Sequence, residues 1–156
     1  MLDSATGVSI GIAQGTARLQ VRTGNLIANP QNVSVLWRLD SMATAGPTRD
    51  TLDVTPTPTT VDSLSDLLQI KTFAFGGPAS NRRVIYSFTT YPDSGPVVTL
   101  FPRDTMYTFS DGTAAVQVRL HNGALPDSVV VTATMVTFHH APLPGSPVTF
   151  VVEFRP

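Results

Sequence analysis

The 156-residue chain contains no cysteine, which excludes disulfides and zinc–thiolate centres. Charge is scarce: Asp, Glu, Lys and Arg make up 13% of the residues, where roughly a quarter is usual. Nine of the ten basic residues are Arg, Lys71 being the tenth, and ten of the eleven acids are Asp, Glu153 being the other. Long, flexible Lys and Glu furnish helix surfaces, so their near absence argues against helices. A net charge of −1 offers no electrostatic footprint for nucleic acid. No apolar run approaches the roughly 20 residues of a membrane-spanning helix. Met1-Leu2-Asp3 leads into small polar residues rather than a signal peptide. The chain therefore reads either as cytosolic or as numbered after processing or truncation, and an internal repeat favours the second.

Thr and Val are abundant, with 13 Pro and 11 Gly, the residues of strands and turns. Period-two alternation recurs: Ala17, Leu19 and Val21 share one face, with Arg18, Gln20 and Arg22 on the other. Val33, Val35, Trp37 and Leu39 alternate in the same way. Further strands are expected over 67–75, 83–91, 97–101, 105–109, 114–121, 128–137 and 148–154, with turns at Gly76-Gly77-Pro78, 92–96, Asp111-Gly112, Asn122-Gly123 and 142–147. Only 61–68 is weakly helical in pattern. Many short strands punctuated by turns specify an all-β sandwich or barrel. The low charge leaves two readings of the surface, cover by a partner or a Thr/Ser-rich exterior.

Residues 15–22 read Gly-Thr-Ala-Arg-Leu-Gln-Val-Arg and residues 112–119 read Gly-Thr-Ala-Ala-Val-Gln-Val-Arg, six identities in eight. A turn-rich gap of similar length and another strand follow each copy. The second copy has a full set of strands before it; the first has only residues 1–14. Three segments follow: an incomplete repeat over 1–45, a Pro/Thr-rich linker and edge strand over 46–58, and a complete sandwich over 51–156. An incomplete sandwich leaves an apolar face and unpaired edges, which require completion by the second domain, another protein, or more of a longer chain.

At these residues the sequence resembles the bacterial immunoglobulin-like repeats of cell-surface and periplasmic proteins, including the invasin and intimin stalks. The matching pieces are Leu52-Asp53-Val54-Thr55-Pro56, Ile70 to Phe75 with Gly76-Gly77-Pro78, Val84-Ile85-Tyr86-Ser87-Phe88, 111–116, 129–134 and Val148-Thr149-Phe150-Val151-Val152. The resemblance implies an immunoglobulin-like Greek-key sandwich preceded by strands of an incomplete second repeat, and a periplasmic or extracellular location.

No chemistry-bearing motif accompanies this frame. There is no Gly-x-Ser-x-Gly elbow, no paired-carboxylate signature and no Gly-rich phosphate loop. His139 and His140 are adjacent, so in a strand they face opposite ways. Asp93, Asp104, Asp111 and Asp127 fall in turns, where calcium binding and simple turn capping both use Asp. No enzyme activity and no cofactor are expected, calcium on these turns being the alternative.

The residues assigned to a partner interface are Val8, Ile10, Ile12, Leu19 and Trp37 in the N-terminal strands, and Arg82 and Arg83 after the Gly-Gly-Pro turn. Trp37 reads as core or as an aromatic anchor, and the arginines as a carboxylate or phosphate contact or a solvated hairpin end. The function expected is non-enzymatic: a cell-envelope protein that braces a larger membrane-associated assembly as an accessory subunit, through sheet edges and apolar faces. The partners are other proteins, with no nucleic acid. The alternatives are an adhesin-like stalk or spacer, and a carbohydrate- or calcium-binding module with an exposed aromatic platform near Tyr86, Tyr91 or Tyr107.

Overall fold

Strands account for all the regular secondary structure in the computed structural model of the chain, which describes residues 11, 13–54, 63–93, 97–121, 123–137 and 141–155. Two units are present, 1–38 and 39–156.

In the first unit β1 (Gly15–Leu19), β2 (Arg22–Thr23), β3 (Leu26–Ile27) and β4 (Gln31–Val35) form one long hairpin. β1 pairs antiparallel with β4, Gly15 opposite Val35 and Leu19 opposite Gln31. β2 pairs with β3 across the Gly24-Asn25 turn. Between the two ladders the Val21 carbonyl accepts the Ala28 N–H at 2.9 Å, and the Gln20 side-chain amide donates to the Ala28 carbonyl at 2.9 Å.

The second unit comprises β5 (Ser41–Thr44), β6 (Arg49–Asp53), β7 (Ser63–Leu64), β8 (Leu68–Ala74), β9 (Gly77–Pro78), β10 (Arg83–Tyr91), β11 (Val98–Phe101), β12 (Thr105–Tyr107), β13 (Thr113–Leu120), β14 (Ser128–Thr134) and β15 (Val148–Arg155). One sheet runs β12-β10-β14-β15-β6 and the other β11-β13-β8-β5. β6 lies parallel to β15; the other strand pairs of these sheets are antiparallel. This order places β5, β8, β13 and β11 where the immunoglobulin fold has A, B, E and D, and β10, β14 and β15 where it has C, F and G. The unit is an immunoglobulin-like Greek-key sandwich.

Alternation builds the core. Leu68 and Ile70 of β8, Val116 and Val118 of β13, Val129 and Val131 of β14, and Phe150 and Val152 of β15 are buried, while their neighbours along each strand are partly exposed. Tyr86 of β10 supplies the buried aromatic that the fold carries on strand C. Its hydroxyl donates to the Ala114 carbonyl at 2.9 Å, which ties the two sheets together. The buried Thr72 hydroxyl donates to the Ala79 carbonyl at 2.8 Å. Met42 anchors β5 to the core, and its N–H donates to the Pro144 carbonyl at 2.9 Å. Gly145 passes so close that a Cβ would overlap the Met42 carbonyl oxygen, and its φ of 80° lies in the left-handed region.

Several expectations need correction. The alternating run Val33–Leu39 is not one strand: β4 ends at Val35, and Leu39 packs on the sandwich core. The division falls after Arg38 rather than at residue 45, because β5 pairs with β8. The edge strand expected over 46–58 is present as β6, at the edge of the five-stranded sheet. Where a helical pattern was read over 61–68, Ser63–Leu64 pairs with β13 and Leu68 begins β8. The duplicated octapeptides also pair differently. β1 bonds to β4, the other arm of its own hairpin, whereas β13 lies in the opposite sheet from β14.

Candidate interaction surface

Opposed residues of the β1–β4 ladder share a face. Ala17, Leu19, Val33 and Val35 line one side, and Thr16, Arg18, Asn32 and Ser34 the other. A face of this kind is normally buried against a further layer. Here Leu19 remains 43% exposed and Val33 42%. Trp37, just past β4, is 42% exposed. Toward the turn the exposure rises, to 71% for Val21, 74% for Leu26 and 58% for Ile27. The β1–β4 sheet has two strands, so each strand keeps an outer edge unpaired by any third strand among the described residues. Among the described residues the element combines an apolar face with two backbone edges not paired in a ladder, the chemistry that strand addition and apolar docking both use.

The expected interface residues divide between the units. Leu19 and Trp37 lie in the hairpin unit; Val8, Ile10 and Ile12 lie outside the described residues. Arg82 and Arg83 belong to the sandwich. Arg82 is built into its fold: its N–H donates to the Thr108 hydroxyl at 2.9 Å, and its carbonyl accepts the Thr108 N–H at 2.9 Å. Partial burial pulls the Arg82 guanidinium below its ordinary pKa. Arg83 is exposed at the start of β10, opposite Tyr107.

Phe75 was read as the end of a strand. It occupies instead the first position of the two-residue Phe75-Gly76 turn between β8 and β9, with φ of 50° and 73° at the two residues. That is a type I′ geometry, which selects Asn, Asp or Gly. A phenylalanine there is strained, and this one is 79% exposed. The Asp40 carboxylate accepts its N–H and steadies the turn. The sequence signal of Phe75, an aromatic directly before Gly-Gly-Pro, was masked by assigning the turn to the glycines.

The loop-based alternatives gain little. Tyr86 is buried, and Tyr91 and Tyr107 lie near opposite ends of β10, about 26 Å apart along the strand. They make no common aromatic platform. Asp111 caps its own turn, accepting the Thr113 N–H at 3.0 Å and hydroxyl at 2.7 Å. These bonds hold its carboxyl below the usual range. Among the described residues no three His, Asp or Glu converge as metal ligands. His139 and His140 lie outside the described residues. An open depression of about 540 Å³ in the sandwich is lined by Tyr86, Ser87, Phe88, Thr99, Leu100, Arg103 and Asp104, with no nucleophile–base pair among them.

The exterior of the five-stranded sheet carries hydroxyls where charges are usual. Ser87, Thr132 and Thr149 align across three strands on that face, with Thr105 and Thr134 flanking Ile85. Much of the low charge therefore reflects a Thr/Ser exterior on this face.

No family model and no curated protein matches the sequence. Solved structures do. One, described as the D0-D1 domain of intimin, is 16% identical with a TM-score of 0.46, over 92% of this chain and 64% of that one. The adhesin InvE of Yersinia pseudotuberculosis is 17% identical with a TM-score of 0.47, over 92% of this chain and 40% of that one. WR4, a C. elegans MSP family member, is 10% identical with a TM-score of 0.39, over 74% of this chain and 98% of that one. This chain spans less than two thirds of the length of either of the first two. The assignment of the immunoglobulin-like fold rests on the strand order itself.

Proposed function

We propose that the chain is a non-catalytic interaction module of the cell envelope. Its N-terminal hairpin is completed by another protein, and the sandwich is an accessory element of a larger membrane-associated assembly. The observation that carries this reading is the two-stranded hairpin with Leu19, Val33 and Trp37 each about two-fifths exposed. A lone hairpin is marginally stable in water, and a third strand or a covering surface supplies what it lacks. Buried at an interface, each of these side chains contributes about 1–2 kcal/mol in proportion to the apolar area removed from water. Trp37, the single tryptophan, is the residue type that most often dominates such contacts. A spacer role draws less support, because β1 does not pair as its counterpart β13 does.

The test is the native mass of the protein under mild extraction from its source. Recovery in a complex much larger than 16.6 kDa is expected. Leu19→Asp and Trp37→Ala should reduce that recovery while leaving the sandwich folded. A stable monomer in the native extract would overturn the reading.

A further inference from the structure

Charge divides unevenly along the chain. Between Asp3 and Asp40 there is no acidic residue, and Arg18, Arg22 and Arg38 are the charged groups. From Leu39 onward seven basic residues face ten acidic ones. The hairpin is thus a cationic element beside an acidic sandwich in sequence. Its apolar residues are also arranged differently at its two ends. Along β1 and β4 they occupy one face, with Thr16, Arg18, Asn32 and Ser34 behind them. Near the turn they occupy both. Ile27 stands opposite Arg22 on one face, and Leu26 opposite Thr23 on the other. Leu26 and Ile27, with Val21, are the most exposed large apolar side chains among the described residues of the unit.

We propose that the hairpin tip, Val21 to Ile27, seats in the interfacial region of an anionic phospholipid membrane, with Arg18 and Arg22 at the level of the lipid phosphates. A protein laid flat on a sheet covers one face, whereas a lipid interface surrounds an inserted tip and covers both. Apolar side chains flanked by arginines, with no carboxylate to repel the surface, are the composition that such an interface selects. Each arginine near an anionic leaflet raises partitioning about fivefold, and an arginine can extend its guanidinium to the phosphates while its stem stays among the apolar groups. The Arg22 Nε donates to the Gly24 carbonyl at 3.1 Å, so one polar group of the turn is satisfied before it leaves water. The inference uses the exposed hairpin on which the proposed function also rests, but engages its tip rather than the Leu19–Val33 face. The two therefore fail separately.

The experiment is flotation of the full chain with vesicles of phosphatidylcholine alone and with phosphatidylglycerol added, at low and at 0.5 M salt. Binding to the anionic vesicles at least tenfold above the neutral ones is expected, falling with salt. Leu26→Asp and the double variant Arg18→Gln/Arg22→Gln should each remove most of it. A fluorescence reading checks the site: Leu26→Trp in a Trp37→Phe background should shift its emission to the blue on anionic vesicles only. Equal binding to both compositions would overturn the proposal, as would binding to neither. Self-association in the absence of lipid that Leu26→Asp abolishes, without vesicle binding, would assign the tip to a second copy and overturn it too.

Discussion

Tyr86 joins the two sheets through one hydrogen bond from a fully packed side chain, and it carries a pH signature. Burial pushes its phenol well above the ordinary value. In the unfolded chain the phenol ionises near pH 10. The folded form therefore holds a proton that the unfolded form loses, and stability is full below about pH 10 and declines above it. Tyr86→Phe should flatten that alkaline decline and cost about 1 kcal/mol at neutral pH, both readable by urea denaturation. Phe75 makes the opposite prediction. Phe75→Asn places a residue suited to the left-handed region in the turn and should stabilise by up to about 1 kcal/mol, with any loss falling on partner binding. Gly145→Ala meets both the positive φ and the Met42 carbonyl, and should cost about 2 kcal/mol or more through release of β5.

At the scale of elements, the strands that were legible are those buried on one face. β8, β13, β14 and β15 alternate strictly in burial, and the hydrophobic pattern exposes that alternation directly. What eluded the pattern were elements held by something else. β5 has one buried side chain, Met42, and owes its place to the Pro144 carbonyl and the Gly145 approach, neither of which leaves a period. β6 matches the edge strand expected in the Pro/Thr-rich stretch, but its parallel ladder to β15 leaves no period in the sequence. Leu39 continued the parity of Val33 and Val35 by coincidence, since the backbone over 36–40, beyond β4, is not a strand. The apolar hairpin was legible as strands, but its exposure was not, because alternation specifies which side chains share a face and not what covers them. Exposure separates the two units' responses to substitution. Val131→Ala in β14 should cost about 2–3 kcal/mol, whereas Leu26→Asp, on a side chain 74% exposed, should move the unfolding midpoint by less than about 0.5 kcal/mol.

At the scale of the whole molecule, the chain joins an immunoglobulin-like sandwich that buries a full core to a hairpin that leaves its apolar side chains in water. The sandwich carries a hydroxyl-rich exterior on one sheet, and the hairpin is two strands wide among the described residues. Amide hydrogen exchange reads this difference strand by strand, because protection reports the free energy of local opening. It should be measured on the isolated chain and on the protein in its native extract. The account predicts slow exchange in β13 and β14 in both samples. In β1 and β4 it predicts fast exchange in the isolated chain and at least hundredfold slower exchange in the extract. Hairpin amides as protected as the sandwich amides in an isolated monomer, or equally fast in both samples, would contradict it.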